Sequence, residues 1–134
     1  MPNHLDLIIE GSPLASKVAR KRLRQALEEW GLPFTIPCEE LLIAVGEAAS
    51  NAFRHGCNSL PKPIRVLASY DPTSNSIAVE ISDTGPGFDT SKPLRVEPFA
   101  DLFCCGRFIM AKCVDQVSYD TRDGWFVCRL IKIL

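Results

Sequence analysis

Apolar positions change their period along the chain, and each change marks an element. In "HLDLIIEG" Leu5, Leu7 and Ile9 alternate with more polar residues, which predicts a strand. From Ser12 the period lengthens. Leu14, Val18, Leu23, Leu27 and Trp30 recur at helical spacing, with Ser12 as N-cap, Pro13 at the first helical position and Gly31 as the stop. A second helix, "IPCEELLIAVGEAASNAFRHG", carries a broad apolar face (Leu41, Leu42, Val45, Ala48, Ala49, Ala52, Phe53) and ends at Gly56. Pro61 and Pro63 mark a loop. Two strands, Ile64–Tyr70 and Ser76–Ser82, flank the turn-rich "DPTSN" and predict a hairpin. "TSKPLRVEPFADLFCC" has two prolines and no period, and reads as a mobile segment. A short helix, "GRFIMAKCVDQ", and two closing strands, "VSYD" and "GWFVCRLIKIL", turning at "TRDG", complete the chain. The order β-α-α-β-β-loop-α-β-β predicts an α/β (α+β) two-layer sandwich: a mixed, mostly antiparallel sheet with helices on one face. No repeat or low-complexity tract interrupts it, so residues 1–134 read as one domain.

Composition narrows the function classes. A chain of 134 residues can bury a real core, and its 46% hydrophobic content is ordinary for a soluble protein. A net charge of -1 gives no global case for nucleic acid or an anionic membrane. No apolar run is long enough to span a bilayer, and the N-terminus lacks the pattern of a signal peptide. Cysteines at 38, 57, 104, 105, 113 and 128 form no CxxC, and only two histidines accompany them, which argues against zinc. Free, mostly buried thiols in an intracellular, cytoplasmic protein are the simplest reading.

Candidate chemistry sits in two places. "ISDTGPGFD" ends an apolar strand on Asp83 and then places Gly85 and Gly87 around Pro86. On the second helix Glu47 and Asn51 are four residues apart, so their side chains point within roughly 40° of each other, and Arg54 lies near the same direction. Taken alone, the helical trio reads as a solvated face and the glycines as a turn. The combination points to a site: ExxxN on a helix, then a strand ending in DxGxG, then a glycine-led helix.

This order resembles the GHKL ATPase superfamily and, within it, the bacterial anti-sigma-factor serine/threonine kinases. "EAASNAFRHG" is similar to their N box at Glu47, Asn51, His55 and Gly56. "DTGPGF" is similar to the first glycine box at Asp83, Gly85, Gly87 and Phe88, and "GRFIMAKCVDQVSY" to the second glycine box and the residues after it. The resemblance covers nearly the whole chain and implies a Bergerat-type ATP-binding fold. It implies that Asp83 accepts a hydrogen bond from the adenine amino group, and that Gly85, Gly87 and Phe88 shape the nucleotide loop. It further implies that Asn51 ligates Mg²⁺, that Glu47 is the general base, and that Arg54, Gly106 and Arg107 lie on the nucleotide. The implied activity is ATP-dependent phosphorylation of a STAS-domain anti-sigma antagonist by a homodimer that also sequesters a sigma factor.

The sequence departs from the family where a glycine pair is usual, with Cys104-Cys105-Gly106-Arg107 in its place. A left-handed backbone at Cys104 costs about 1–2 kcal/mol relative to glycine. Arg107 reads either as a compensating charge near the phosphates or as an exposed helix-start arginine. His55 reads as a helix cap or packing residue. "ARKRLR" at 19–24 reads as a solvated helix face. Two other functions fit the same motifs: a non-catalytic nucleotide-binding regulatory module that acts by contact, and the detached ATPase domain of a histidine kinase. The second of these wants a phospho-acceptor helix pair and a longer lid.

Overall fold

The structure, a computed structural model, describes residues 3–87 and 102–134. Its elements are β1 (His4–Glu10), α1 (Ala15–Glu29), α2 (Ile36–Asn51) running into a π-helical turn (Ala52–Gly56), β2 (Pro63–Asp71), β3 (Ser76–Asp83), α3 (Leu102–Cys113), β4 (Gln116–Arg122) and β5 (Trp125–Ile133). The strands form one five-stranded sheet in the order β1-β2-β3-β5-β4. All four pairings are antiparallel.

Alternation along each strand decides the faces. Ile64, Val66 and Ala68 on β2, Ile77, Val79 and Ile81 on β3, and Cys128 and Leu130 on β5 are buried in one core with the helices. Register places Val66 opposite Ile81 and Val79 opposite Leu130, so the apolar rows run across the sheet. The other face is polar. Arg65 pairs with Asp6 at 3.1 Å, and Glu80 accepts from Arg122 at 2.8 Å and Arg129 at 3.0 Å.

Helix α1 buries Ala15, Ala19, Leu23, Ala26 and Leu27, and α2 buries Leu41, Ala44, Val45, Ala48 and Ala49. Small residues on both let their backbones approach. Gly31, at φ +74°, ends α1 with bonds from Gly31 N–H to Glu28 O (3.0 Å) and from Leu32 N–H to Leu27 O (3.1 Å), which satisfy carbonyls of the last turn. The start of α1 differs from expectation. Ser12 Oγ accepts from Leu14 N–H at 3.1 Å, forming a turn ahead of the helix rather than its N-cap. Asp123 and Gly124 take consecutive positive φ (52° and 83°), as a two-residue hairpin between β4 and β5 requires.

Helix α3 also starts earlier than predicted. The backbone of 104 and 105 is helical, so the left-handed strain expected at Cys104 does not arise. Phe88, and most of the segment read as mobile, lie outside the described residues. The buried Lys132 ammonium donates to the carbonyl of Cys113, the last residue of α3, at 2.7 Å, and lies 3.4 Å from Glu40 Oε1. It thereby ties α3 and α2 to β5. Cys38, Cys57 and Cys128 are buried free thiols. No helix among the described residues is long and apolar enough to cross a membrane.

Candidate functional site

A pocket forms where the end of α2 meets the sheet. Ala48, Ala52, Ile81, Met110, Phe126 and Cys128 make its lining mainly apolar, and Asn51 and Asp83 are its buried polar side chains. His55, Gly56, Gly87 and Tyr119 complete the lining.

Asp83 is the last residue of β3 and is 5% exposed. Two glycines make room for it. A Cβ on Gly56 would overlap the Asp83 carboxylate, and a Cβ on Gly85 would overlap the Gly56 backbone. The carboxylate is held by one backbone donor, Gly85 N–H to Oδ1 at 2.8 Å. Oδ2 accepts no hydrogen bond from a described residue. Burial pushes the Asp83 carboxyl above its ordinary range, and the Gly85 bond offsets this only in part. Gly87 has φ +77°, and a Cβ there would overlap the Phe126 ring. The sequence reading cleared both glycines for a nucleotide. In the structure Gly85 clears the way for Gly56, and Gly87 for Phe126.

Asn51 ends α2, 7% exposed. Arg54, in the π-helical turn, donates from Nη2 to Asn51 Oδ1 at 3.3 Å, while Asn51 Nδ2 and Arg54 Nε are buried without hydrogen-bond partners among the described residues. Such orphaned polar atoms are uncommon in a packed core. Glu47, half-buried one turn earlier, converges on the same spot. A Cβ built on Gly106 of α3 would lie 2.9 Å from Glu47 Oε2, 3.5 Å from Asn51 Nδ2 and 3.6 Å from Asn51 Oδ1. Asn51 Oδ1, once released by Arg54, is a neutral oxygen of the kind a hard divalent cation takes beside water and phosphate oxygens.

Arg107 corrects the exposed-arginine reading. It is 5% exposed, and its guanidinium carbon lies 5.6 Å from the centroid of the Tyr119 ring, itself part of the pocket lining. Burial pushes the Tyr119 phenol up, with Arg107 opposing the shift, and pushes the Cys128 thiol up to about 12. The cysteine is therefore a protonated wall residue, not a nucleophile. Tyr119 and Phe126 stack with centroids 6.0 Å apart.

The structure thus gathers Asn51, Asp83 and Gly87 in the lining, with Glu47, Arg54, Gly85, Gly106 and Arg107 packed around it. The sequence reading missed His55, Met110, Tyr119, Phe126 and Cys128 as lining. Strand alternation on "VSYD" and "GWFVC" carried a signal for three of them, since Tyr119, Phe126 and Cys128 share the helix-facing side with Asp83.

The family model described as histidine kinase-like ATPase domain matches residues 11–132, and the chain belongs to that family: it is a GHKL-type ATPase domain. No curated protein matches the chain. Among solved structures, the RsbU and RsbW domains of Rv1364c from Mycobacterium tuberculosis are similar, with a TM-score of 0.71 at 18% identity, over 98% of this chain and 32% of that one. At that identity the likeness concerns the fold, and this chain spans 32% of the protein it matches.

Proposed function

We propose that this member of the histidine kinase-like ATPase domains is an ATP-dependent protein serine/threonine kinase that regulates a sigma factor. One observation carries the reading. Asp83 presents a rigid, buried carboxylate with one oxygen open to a donor, inside an apolar pocket. Such an acceptor rewards an exocyclic amino group on a flat apolar ring and rejects a base that lacks it.

Adenine stacks among Ala52, Ile81, Met110 and Phe126, and its amino group donates to Asp83 Oδ2. The phosphates then extend toward the end of α2, where Asn51 would hold Mg²⁺; when bound, that ion screens the charge of the phosphate oxygens. Arg54 moves from Asn51 Oδ1 to a phosphate oxygen. Glu47 takes the proton of an incoming serine or threonine hydroxyl, and Gly106 leaves it room to turn. The acceptor is a STAS-domain antagonist. The kinase works in the cytoplasm as a homodimer and sequesters a sigma factor in its other state. The RsbW domain named in the similar structure supports this choice of partners.

The test is single-turnover transfer from γ-labelled ATP to a purified STAS-domain protein. Acid-stable label on serine or threonine is the expected result. ADP binding without any transfer overturns the kinase reading in favour of a regulatory module acting by contact. One observation favours that second reading: α3 carries a helical turn at 104–105, where the resemblance leads one to expect a glycine pair.

A further inference from the structure

Four of the chain's fifteen lysines and arginines stand on one face of α1. Lys17, Arg20, Lys21 and Arg24 follow i, i+3, i+4, i+7 spacing, which makes them neighbours along the helix. With Phe34, Glu39, Leu42 and Ile43 they line a groove of about 540 Å³ between α1 and α2. None of its residues belongs to the pocket around Asp83. None of the four cations forms an ion pair with a described residue. Arg20 bonds only to the Ser16 carbonyl of its own helix, at 3.2 Å, and Arg24 lies on the face of Phe34, 4.2 Å from the ring centroid. Phe34 and Ile43 are 42% and 45% exposed, so the groove offers apolar surface beside four cations and one lining carboxylate, Glu39, and its lining is net positive.

A solvated helix face needs neither feature. Like charges at these spacings repel and weaken the helix that carries them. Their field is worth retaining where an anionic partner arrives, because it steers the encounter and rejects basic competitors. The apolar residues say what kind of anion. A phosphodiester backbone has no use for Leu42 and Ile43, and the one aromatic face is already covered by Arg24, which leaves no stacking platform for bases. A membrane would need its apolar contact to project, whereas here it lies in a concavity beside the row of cations on α1.

We propose that this groove docks an acidic amphipathic helix of a partner protein. Its apolar ridge lies on Phe34, Leu42 and Ile43, and carboxylates along the flank that faces α1 meet Lys17, Arg20, Lys21 and Arg24. The proposal is independent of phosphotransfer at the pocket.

The test is selection of a displayed library of helical peptides, patterned apolar on one face and randomised for charge on the flanks, on the full chain. The expected winners carry Asp or Glu on one flank, the side that faces α1. Their affinity falls about tenfold or more in Lys17→Glu/Lys21→Glu and between about 50 and about 300 mM salt. It falls also in Ile43→Ser, while ADP affinity stays at the parent value and reports an intact fold. Winners with neutral or basic flanks, or binding indifferent to charge reversal, overturn the proposal. So does tighter binding of polyuridylate or of phosphatidylserine vesicles than of the best peptide.

Discussion

Replacing Asp83 by asparagine separates what the carboxylate does for the ligand from what it does to the fold. Its two oxygens are not equivalent. Oδ1 takes the Gly85 N–H at 2.8 Å, and Oδ2 has no donor among the described residues. Gly85 N–H can be satisfied only by an oxygen, so the amide of Asp83→Asn must turn its single oxygen toward Gly85. The NH₂ group then stands where Oδ2 stood. An adenine amino group arriving there meets another donor, and such a buried mispairing costs about 1–3 kcal/mol. That is a loss of about 5- to 150-fold in affinity for ATP and ADP alike. Stability moves the other way. Burial raises the Asp83 carboxyl above its ordinary value of 3.8, so the folded state favours the protonated form. The stability this group contributes is full below that ordinary value and is lost as pH rises through the raised folded value. At neutral pH the ionised carboxylate therefore opposes folding, and the uncharged amide removes that opposition. Isothermal titration with both nucleotides, and thermal melts of the free protein at about pH 7 and about pH 4, read the two effects. The variant should bind weakly yet melt higher than the parent at the neutral pH only. Equal nucleotide affinity would remove adenine from Asp83, and a lower neutral melting temperature would refute the desolvation argument.

Three further substitutions probe the neighbouring parts. Glu47→Ala should leave ADP affinity near the parent value and slow single-turnover phosphotransfer by about 10²–10⁴; full transfer would make Glu47 a surface acid. Gly106→Ala should gain up to about 1 kcal/mol of helix propensity. Its new methyl, 2.9 Å from Glu47 Oε2, should push that carboxylate aside and slow transfer about 10- to 100-fold, so an unchanged rate at equal or higher melting temperature would separate Gly106 from the base. Lys132→Met leaves the Cys113 carbonyl without its 2.7 Å donor and should destabilise the fold by about 1–3 kcal/mol, measured as a lower urea midpoint. An unmoved midpoint would mean that the ammonium does not secure the end of α3.

What the sequence made legible was local. Alternation located the strands because one face of each is buried, and Gly31 announced the end of α1 because only glycine takes φ +74° without strain. The ExxxN spacing and the acid at the end of β3 were readable because both are near-neighbour patterns. What escaped depends on contacts between distant segments. "LFCC" has no apolar period of its own, and its helical state comes from the continuation of α3 across Gly106 onto α2. The π-helical turn at 52–56 is invisible to a periodicity argument, since the same residues fit an α-helix. It is defined by the Cys57 N–H reaching Ala52 O at 2.7 Å, one residue beyond the α pattern. The sequence left Arg107 open between an exposed helix-start arginine and a charge near the site, because its burial beside Tyr119, twelve residues on, is a contact between segments. Gly56 and Gly85, 29 positions apart, meet only in the folded chain.

That meeting joins the two halves of the site. The helix bearing Glu47 and Asn51 ends at Gly56, and the strand bearing Asp83 runs into Gly85, so contact between the two glycines sets one half against the other. Gly56 has no positive φ, so its backbone would accept alanine; the obstacle is the overlap of the new Cβ with the Asp83 carboxylate. The carboxylate cannot withdraw without giving up Gly85 N–H. Gly56→Ala should therefore destabilise by about 1–3 kcal/mol, the range for overpacking a site that cannot relax. The cause is separable by a double-mutant cycle. In Asp83→Ala the carboxylate is absent, and the same alanine at 56 finds space. The cost of Gly56→Ala should then shrink, with a coupling of about 0.5–3 kcal/mol between the two positions in urea denaturation. Additive costs would show that Gly56 is required for some reason other than Asp83, and that its contact with Gly85 does not align the two halves of the site.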